Sequence, residues 1–252
     1  MEEYKEEHIE EHIEEQYVQT IPHEVLVNAE IPLDLSNKLL EISANSPDFF
    51  TDLAACLEEN FYLRKLVDKQ HSLDPNYVPD NIVPLTAGSY RLGRAGLTLQ
   101  KDAAEALNEM ALAAQAEGIT FTVSSAYRSY DYQKEVYERN VRQMGQQAAD
   151  RESAKPGHSQ HQTGLVIDFG PIDDSFANTP ASRWLIKNAS RFGWSLSFPD
   201  GYEAVTGYRW ESWHYRYVGK NLAAFIDNYF NGIQQYALRF IYEWEKYLLL
   251  QN

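Results

Sequence analysis

One cysteine, Cys56, in 252 residues excludes an internal disulfide and any metal site built on several thiolates. Its apolar, helix-patterned surroundings give it a plain core role. No apolar run approaches the roughly 18 residues of a membrane span, and the N-terminus lacks a basic segment followed by an apolar one. A chain of this kind is cytoplasmic, or a targeting segment has been removed from it. Basic residues are also scarce: 22 Lys and Arg face 37 Asp and Glu, for a net charge of -15. That excludes nucleic-acid binding, which needs clustered cations for phosphate contacts, and an anionic substrate would have to be held by local positive groups. The charge is uneven, because eight Glu and one Lys in residues 1–15 contribute -7 and leave -8 for the other 237 residues.

What is present suits a folded enzyme. Hydrophobic residues make up 44% of the chain, with 17 Tyr and 5 Trp, enough for one large domain with an appendage. Residues 1–20 form an acidic low-complexity tail, residues 21–73 a helical lead-in and residues 74–252 the main domain. The tail contains His8-Ile9-Glu10-Glu11-His12, an H-x-x-E-H pattern of zinc peptidases. That motif works on a packed helix beside a third ligand, and a repetitive charged tail supplies neither, so it is set aside.

From Pro32 to about Gln70 the spacing of Leu39, Leu40, Ile42, Phe49, Phe50, Leu53 and Leu57 is helical, with Ser46-Pro47 as an N-cap signal. Asp74 to Asp80 is extended. A helix is expected from Lys101 to Glu117, stopped by Gly118, then a strand over Ile119–Ser125 and a second helix, capped by Ser129 or Asp131, to about Met144. Thr163–Phe169 reads as a buried strand, Thr179-Pro180 starts a helix to about Phe192, and short strands follow near Trp194–Phe198 and Trp213–Val218. Lys220 onward is helical. Helices mixed with short strands, without βαβ alternation, predict an α+β fold: a small, mostly antiparallel sheet flanked by helices.

Two segments carry the chemistry. Ser159-Gln160-His161-Gln162-Thr163-Gly164-Leu165-Val166-Ile167-Asp168 and Glu211-Ser212-Trp213-His214 together offer two imidazoles, one carboxylate and a free Glu. A catalytic zinc ion takes three protein ligands and keeps one position open for water, and His161, Asp168 and His214 can supply the three. Water at such an ion has its pKa lowered from about 15.7 toward roughly 7, and Glu211 is placed to take its proton. Arg128, at a strand-to-helix turn, can face a developing oxyanion or clamp a substrate carboxylate. Gln133 and Ser159 are polar groups expected at the same cleft, and Trp213 is placed with them as a substrate contact.

These residues resemble the VanY-type D-alanyl-D-alanine carboxypeptidases, within the metallopeptidase group that includes D-Ala-D-Ala dipeptidases, lysostaphin and the hedgehog signalling domain. The resemblance runs over about residues 74–220, through Tyr77-Val78-Pro79-Asp80, Ser125-Ala126-Tyr127-Arg128 with Gln133, Pro156 through Asp168, and Thr206 through Gly219. It implies a hedgehog/D-Ala-D-Ala-peptidase-like fold and one zinc ion held by His161, Asp168 and His214. It implies Glu211 as the catalytic base, Arg128 stabilising the transition state, and Gln133 and Ser159 contacting the peptide. The implied substrate is a peptidoglycan stem peptide that loses a C-terminal D-alanine, with D,D-cleavage favoured over L,D-cleavage, endopeptidase action or a non-catalytic binding role. The implied protein is monomeric and sits in the cell envelope outside the cytoplasmic membrane, with a cytoplasmic role trimming precursors as the alternative. Two departures stand out. The chain has Ser159-Gln160-His161 where such enzymes often have Ser-Glu-His, and Ser197-Phe198-Pro199 where they often have Arg-Tyr-Pro. The second is expected to alter substrate recognition.

Overall fold

A computed structural model describes residues 20–251 of the chain. The acidic tail's His8 to His12 motif lies outside the described residues. Helices α1 (His23–Asn28), α2 (Leu33–Asn45), α3 (Asp48–Glu58) and α4 (Phe61–Arg64) come first. Strands β1 (Ile82–Pro84), β2 (Arg91–Leu92) and β3 (Thr98–Gln100) lead into α5 (Lys101–Ala116), β4 (Thr122–Ser125), α6 (Tyr130–Met144) and α7 (Gln146–Glu152). Next come β5 (Val166–Phe169), α8 (Pro180–Asn188), β6 (Trp194–Leu196), α9 (Glu203–Thr206) and β7 (His214–Tyr217). Helices α10 (Lys220–Tyr229) and α11 (Gln234–Gln251) follow.

Five strands form one sheet in the order β2-β4-β5-β7-β6, and only the β2–β4 pairing is parallel. β1 and β3 make a separate antiparallel pair. The expected α+β architecture with a small, mostly antiparallel sheet is therefore observed.

Side chains alternate across a strand, so the sheet has two faces of different character. Ile167, Phe169 and Tyr215 join Leu107, Met110, Phe121, Val123 and Trp194 in a fully buried core between the sheet and α5. On the other face Asp168 and His214 are direct cross-strand partners, followed by the pair Val166 and Arg216. Arg216 is buried there and donates to the carbonyls of Leu63 and Lys65 at 3.1 and 2.8 Å, drawing the lead-in across this face.

The lead-in and the C-terminal helices share a second core. Leu35, Leu39, Phe49 and Leu53 pack with Phe225, Ile226, Phe240 and Ile241, and the Phe49 ring lies 5.0 to 6.0 Å from those of Tyr229, Phe225 and Phe240. α1, of which the periodicity gives no sign, is six residues long and enters this core through Val25 and Leu26. The expected break at Ser46-Pro47 is present, with Ser46 Oγ accepting from the Asp48 N–H at 3.2 Å. Several expected bounds shift, the strand foreseen from Ile119 starting at Thr122 and the helix foreseen to Phe192 ending at Asn188 in a 3-10 turn. The strand foreseen from Thr163 begins at Val166, because Gln160–Thr163 is a 3-10 turn closed by Gly164 at φ 71°. The helical C-terminus is split by Asn231 and Gly232, at φ 54° and 76°.

Asp68 ties these parts together. It is 4% exposed, and its Oδ1 accepts from the backbone of Gln70 and His71 and meets His71 Nδ1, all within 2.9 Å. Its Oδ2 accepts from Gln235 Nε2 of α11 at 2.7 Å, and its carbonyl oxygen is 2.8 Å from His158 Nδ1 in the loop before β5. Burial alone would raise this carboxyl, but the Gln70 and His71 hydrogen bonds outweigh it and hold the pKa below the ordinary 3.8. A depressed folded-state pKa adds stability that is complete above the unfolded value and is lost as pH falls through the folded one. Asp68→Asn should therefore cost about 1–3 kcal/mol near neutrality by leaving buried donors unmatched. The gap between the two proteins should narrow below about pH 4. Urea melts at several pH values measure both, and a gap that stays constant into acid would refute the assignment.

Candidate active site

Three ligand candidates arrive from different local structures. His161 sits in the 3-10 turn, Asp168 on β5 and His214 at the start of β7. Gly164 makes the first pair possible: its φ of 71° reverses the chain between turn and strand, and a Cβ there would come within 2.8 Å of Ile82 Cδ1 and 3.0 Å of Pro79 Cγ. The β5–β7 register then places His214 opposite Asp168. One ligand atom from each of the three lies within 4.8 Å of the others, and all three residues are buried.

Hydrogen bonds on the far side of each ring fix which nitrogen faces the centre. His161 Nδ1 is 2.7 Å from the Ala126 carbonyl, which can only accept, so Nδ1 carries the proton and Nε2 the lone pair. That Nε2 is 3.1 Å from Asp168 Oδ2. His214 Nε2 is 3.3 Å from Gln160 Oε1, and its Nδ1 lies 3.2 Å from both Asp168 Oδ1 and Glu211 Oε2. Burial and the Arg128 charge push the His161 imidazolium down to about 4, keeping the ring neutral at physiological pH. For His214 burial pulls the same way, but the bonds to Asp168 and Glu211 win and raise its pKa. Burial would raise the Asp168 carboxyl too, yet the two imidazoles hold it well below the usual range.

The residues fit a divalent cation such as zinc. His161 Nε2 and Asp168 Oδ1 are buried without a hydrogen-bond partner, although each has an oppositely polarised atom close by. Close approach without alignment is what lone pairs aimed at a shared cation produce. Two neutral imidazole nitrogens and one carboxylate oxygen form a donor set of the catalytic zinc type, and the Ala126 carbonyl supplies the outer bond that orients such a ligand. A proton on His214 Nδ1 and a cation in the centre would compete for the same negative surroundings.

The other anticipated residues surround the centre in distinct roles. Glu211 precedes β7, held by its N–H to the Phe198 carbonyl at 3.0 Å. Burial pushes its carboxyl above the ordinary 4.5, against the pull of His214. Arg128 donates from NH1 to Gln133 Oε1 at 2.9 Å and sets NH2 3.6 Å from Asp168 Oδ2, while its buried Nε has no partner. Gln133 donates in turn to the Ala154 carbonyl at 2.7 Å, so its amide ties Arg128 to the loop. Ser159 Oγ accepts from the His161 N–H at 3.3 Å and caps the turn. Trp213 is 6% exposed, and the Arg209 guanidinium lies 6.0 Å from its ring centre.

All of these line one groove of about 850 Å³. Sequence reasoning missed Arg94, Arg139, Arg209 and His158, which line it as well. His158 stands in the quoted Pro156-to-Asp168 segment and could have been singled out there. Arg209 likewise stands in the Thr206-to-Gly219 segment, whereas Arg94 and Arg139 belong to no motif and reach the groove only through the fold. Ser197 is 2% exposed, lies outside the groove lining and bonds to Gln160, while Phe198 lines the groove and its ring centre is 4.6 Å from that of His214.

A small antiparallel sheet with His161, Asp168 and His214 on one face and Glu211 beside them defines a D-Ala-D-Ala-peptidase-like α+β domain. The family model described as VanY, D-alanyl-D-alanine carboxypeptidase, matches residues 96–220. A solved structure of the LdcB LD-carboxypeptidase, whose subject is peptidoglycan recognition, is similar at a TM-score of 0.60 and 34% identity, covering 67% of this chain and 85% of that one. The chain therefore belongs to the VanY family of carboxypeptidases. A VanY D,D-pentapeptidase mutant in complex with Zn(II) is similar at TM-score 0.59 and 28% identity, over 70% of this chain and 98% of that one. Among curated proteins, YodJ of Bacillus subtilis (strain 168) is 36% identical over 170 residues, 65% of this chain and 62% of YodJ. A D-alanyl-D-alanine carboxypeptidase of Enterococcus faecium is 29% identical over 160 residues, 61% of this chain and 50% of that protein. The chain thus spans between half and two thirds of the length of these curated relatives.

Proposed function

We propose that the protein is a zinc-dependent carboxypeptidase, with one zinc ion per chain, that releases C-terminal D-alanine from peptidoglycan stem peptides, preferring a D,D-bond. The observation that carries this reading is the convergence of His161, Asp168 and His214 at the groove with Glu211 3.2 Å from His214. The Zn(II) complex of the VanY relative supports the choice of metal. When bound, the ion supplies Lewis acidity, polarising a scissile carbonyl and making water acidic enough to ionise near neutral pH.

The chain's own residues do the rest. Glu211 accepts a proton from the attacking water and delivers it to the amine nitrogen as the C–N bond breaks, so one water is consumed and free D-alanine leaves. Its burial-raised pKa suits a group that must hold a proton between those two transfers. Arg128 offers its unpartnered Nε to the developing oxyanion or the substrate carboxylate, with Gln133 fixing the fork. Arg94 and Arg139 also line the groove and can meet a carboxylate of the peptide, whereas Arg209 is paired with Asp174 at 2.6 Å. An extracytoplasmic site of action follows from a wall substrate, and the peptidoglycan recognition named for LdcB supports it.

The resemblance to LdcB, an LD-carboxypeptidase, favours a second reading in which D-alanine is cleaved from an L-configured neighbour on tetrapeptide stems. Incubating the zinc-loaded protein with defined pentapeptide and tetrapeptide stems and weighing the products separates them. Loss of one alanine from the pentapeptide alone is the expected result, and loss from the tetrapeptide alone would shift the assignment to the second reading. No loss from either would sink both.

A further inference from the structure

The two departures from the family pattern, at residues 160 and 197, touch. Ser197 Oγ donates to Gln160 Oε1 at 2.8 Å, and the same oxygen lies 3.3 Å from His214 Nε2. Gln234 backs this group, its Oε1 3.3 Å from Ser197 Oγ and its Nε2 donating to the Ser195 carbonyl. The participants are 1–5% exposed, so water does not substitute for a lost partner.

An amide oxygen can only accept. Facing His214 Nε2, it requires the proton there, so that in the neutral ring the lone pair is on Nδ1, the atom that lies between Asp168 and Glu211. The backbone of Gln160 is itself fixed, because it opens the 3-10 turn that carries His161. One residue thereby couples the placement of two ligands: its main chain sets His161 and its side chain sets His214.

We infer that Gln160 is a positioning residue of the metal centre, its amide oxygen locking His214 in the Nε2–H form while Ser197 locks the amide. This rests on the metal reading above. The unit is uncharged, so His214 is oriented without adding a further negative charge beside Asp168 and Glu211. Ser197 therefore bears on the metal centre through the Gln160 amide.

The test is zinc affinity, by competition with a chromophoric chelator, together with the visible spectrum of the cobalt-loaded protein. Gln160→Met removes the acceptor at similar volume and should weaken zinc binding about 10- to 100-fold, the usual effect of losing an outer-shell partner. Gln160→Glu, which keeps an acceptor, should bind within a few-fold of the unsubstituted protein or more tightly. Ser197→Ala should weaken binding several-fold, and it keeps the test open should Gln160→Met fail to fold. Melting of the metal-stripped variants separates positioning from plain structure: a structural role lowers that melting temperature and leaves affinity alone. Unchanged zinc affinity in both Gln160→Met and Ser197→Ala would overturn the inference, as would Gln160→Glu failing as badly as Gln160→Met. An unsubstituted protein that takes up no stoichiometric zinc would instead remove the metal reading itself.

Discussion

Glu211→Ala is expected to retain zinc at full stoichiometry and to lose turnover by at least about 10²- to 10⁴-fold, the range attached to positioned acid–base groups. The two halves of this result come from different geometry. Metal retention follows because Glu211 stands outside the His161, Asp168 and His214 set. Loss of rate follows because Glu211 lines the groove at the centre's edge, in a site whose burial favours its protonated form. Glu211→Gln should fail equally, since it keeps shape and removes only the basic carboxylate oxygen that takes the proton. Metal analysis beside initial rates of D-alanine release gives both quantities. Near-normal rates in either variant would mean that another group moves the proton.

Stripping the metal should abolish turnover and lower the melting temperature on the order of 10 °C. Ligand that binds only the native state adds about 4 kcal/mol at a thousand-fold excess over Kd. At roughly 2–4 °C per kcal/mol for a chain of this size, that gives the shift. His161→Ala and Asp168→Asn should reproduce the inactive, metal-insensitive state. Thermal melts with chelator, then with zinc restored, measure it, and a melting temperature indifferent to both would refute the centre.

Much of this was legible in the sequence because it is local. His161 and Asp168 belong to one ten-residue segment, Glu211 and His214 to another, and residue type at close spacing points to the chemistry before the fold is known. Long helices such as α5 and α6 announce themselves through caps and periodicity. What stayed hidden is non-local. The bonds of Gln133 to Arg128 and to the Ala154 carbonyl show only in the fold. The burial of Ser197 against Gln160, 37 positions earlier, likewise leaves no mark on the spacing. The short α1 lacks the length for a periodic signal and is held by its neighbours in the shared core.

The cross-strand pairing of Asp168 with His214 makes the centre a proofreader of its own sheet. A one-residue slip between β5 and β7 would turn every side chain of the slipped strand to the other face, sending its ligand into the core and lifting an apolar residue into the groove. No slipped species could assemble the three donors, so a cation that binds tightly discards misregistered molecules from the population. Metal uptake during refolding should then report correct strand alignment as directly as any spectroscopic probe of the sheet.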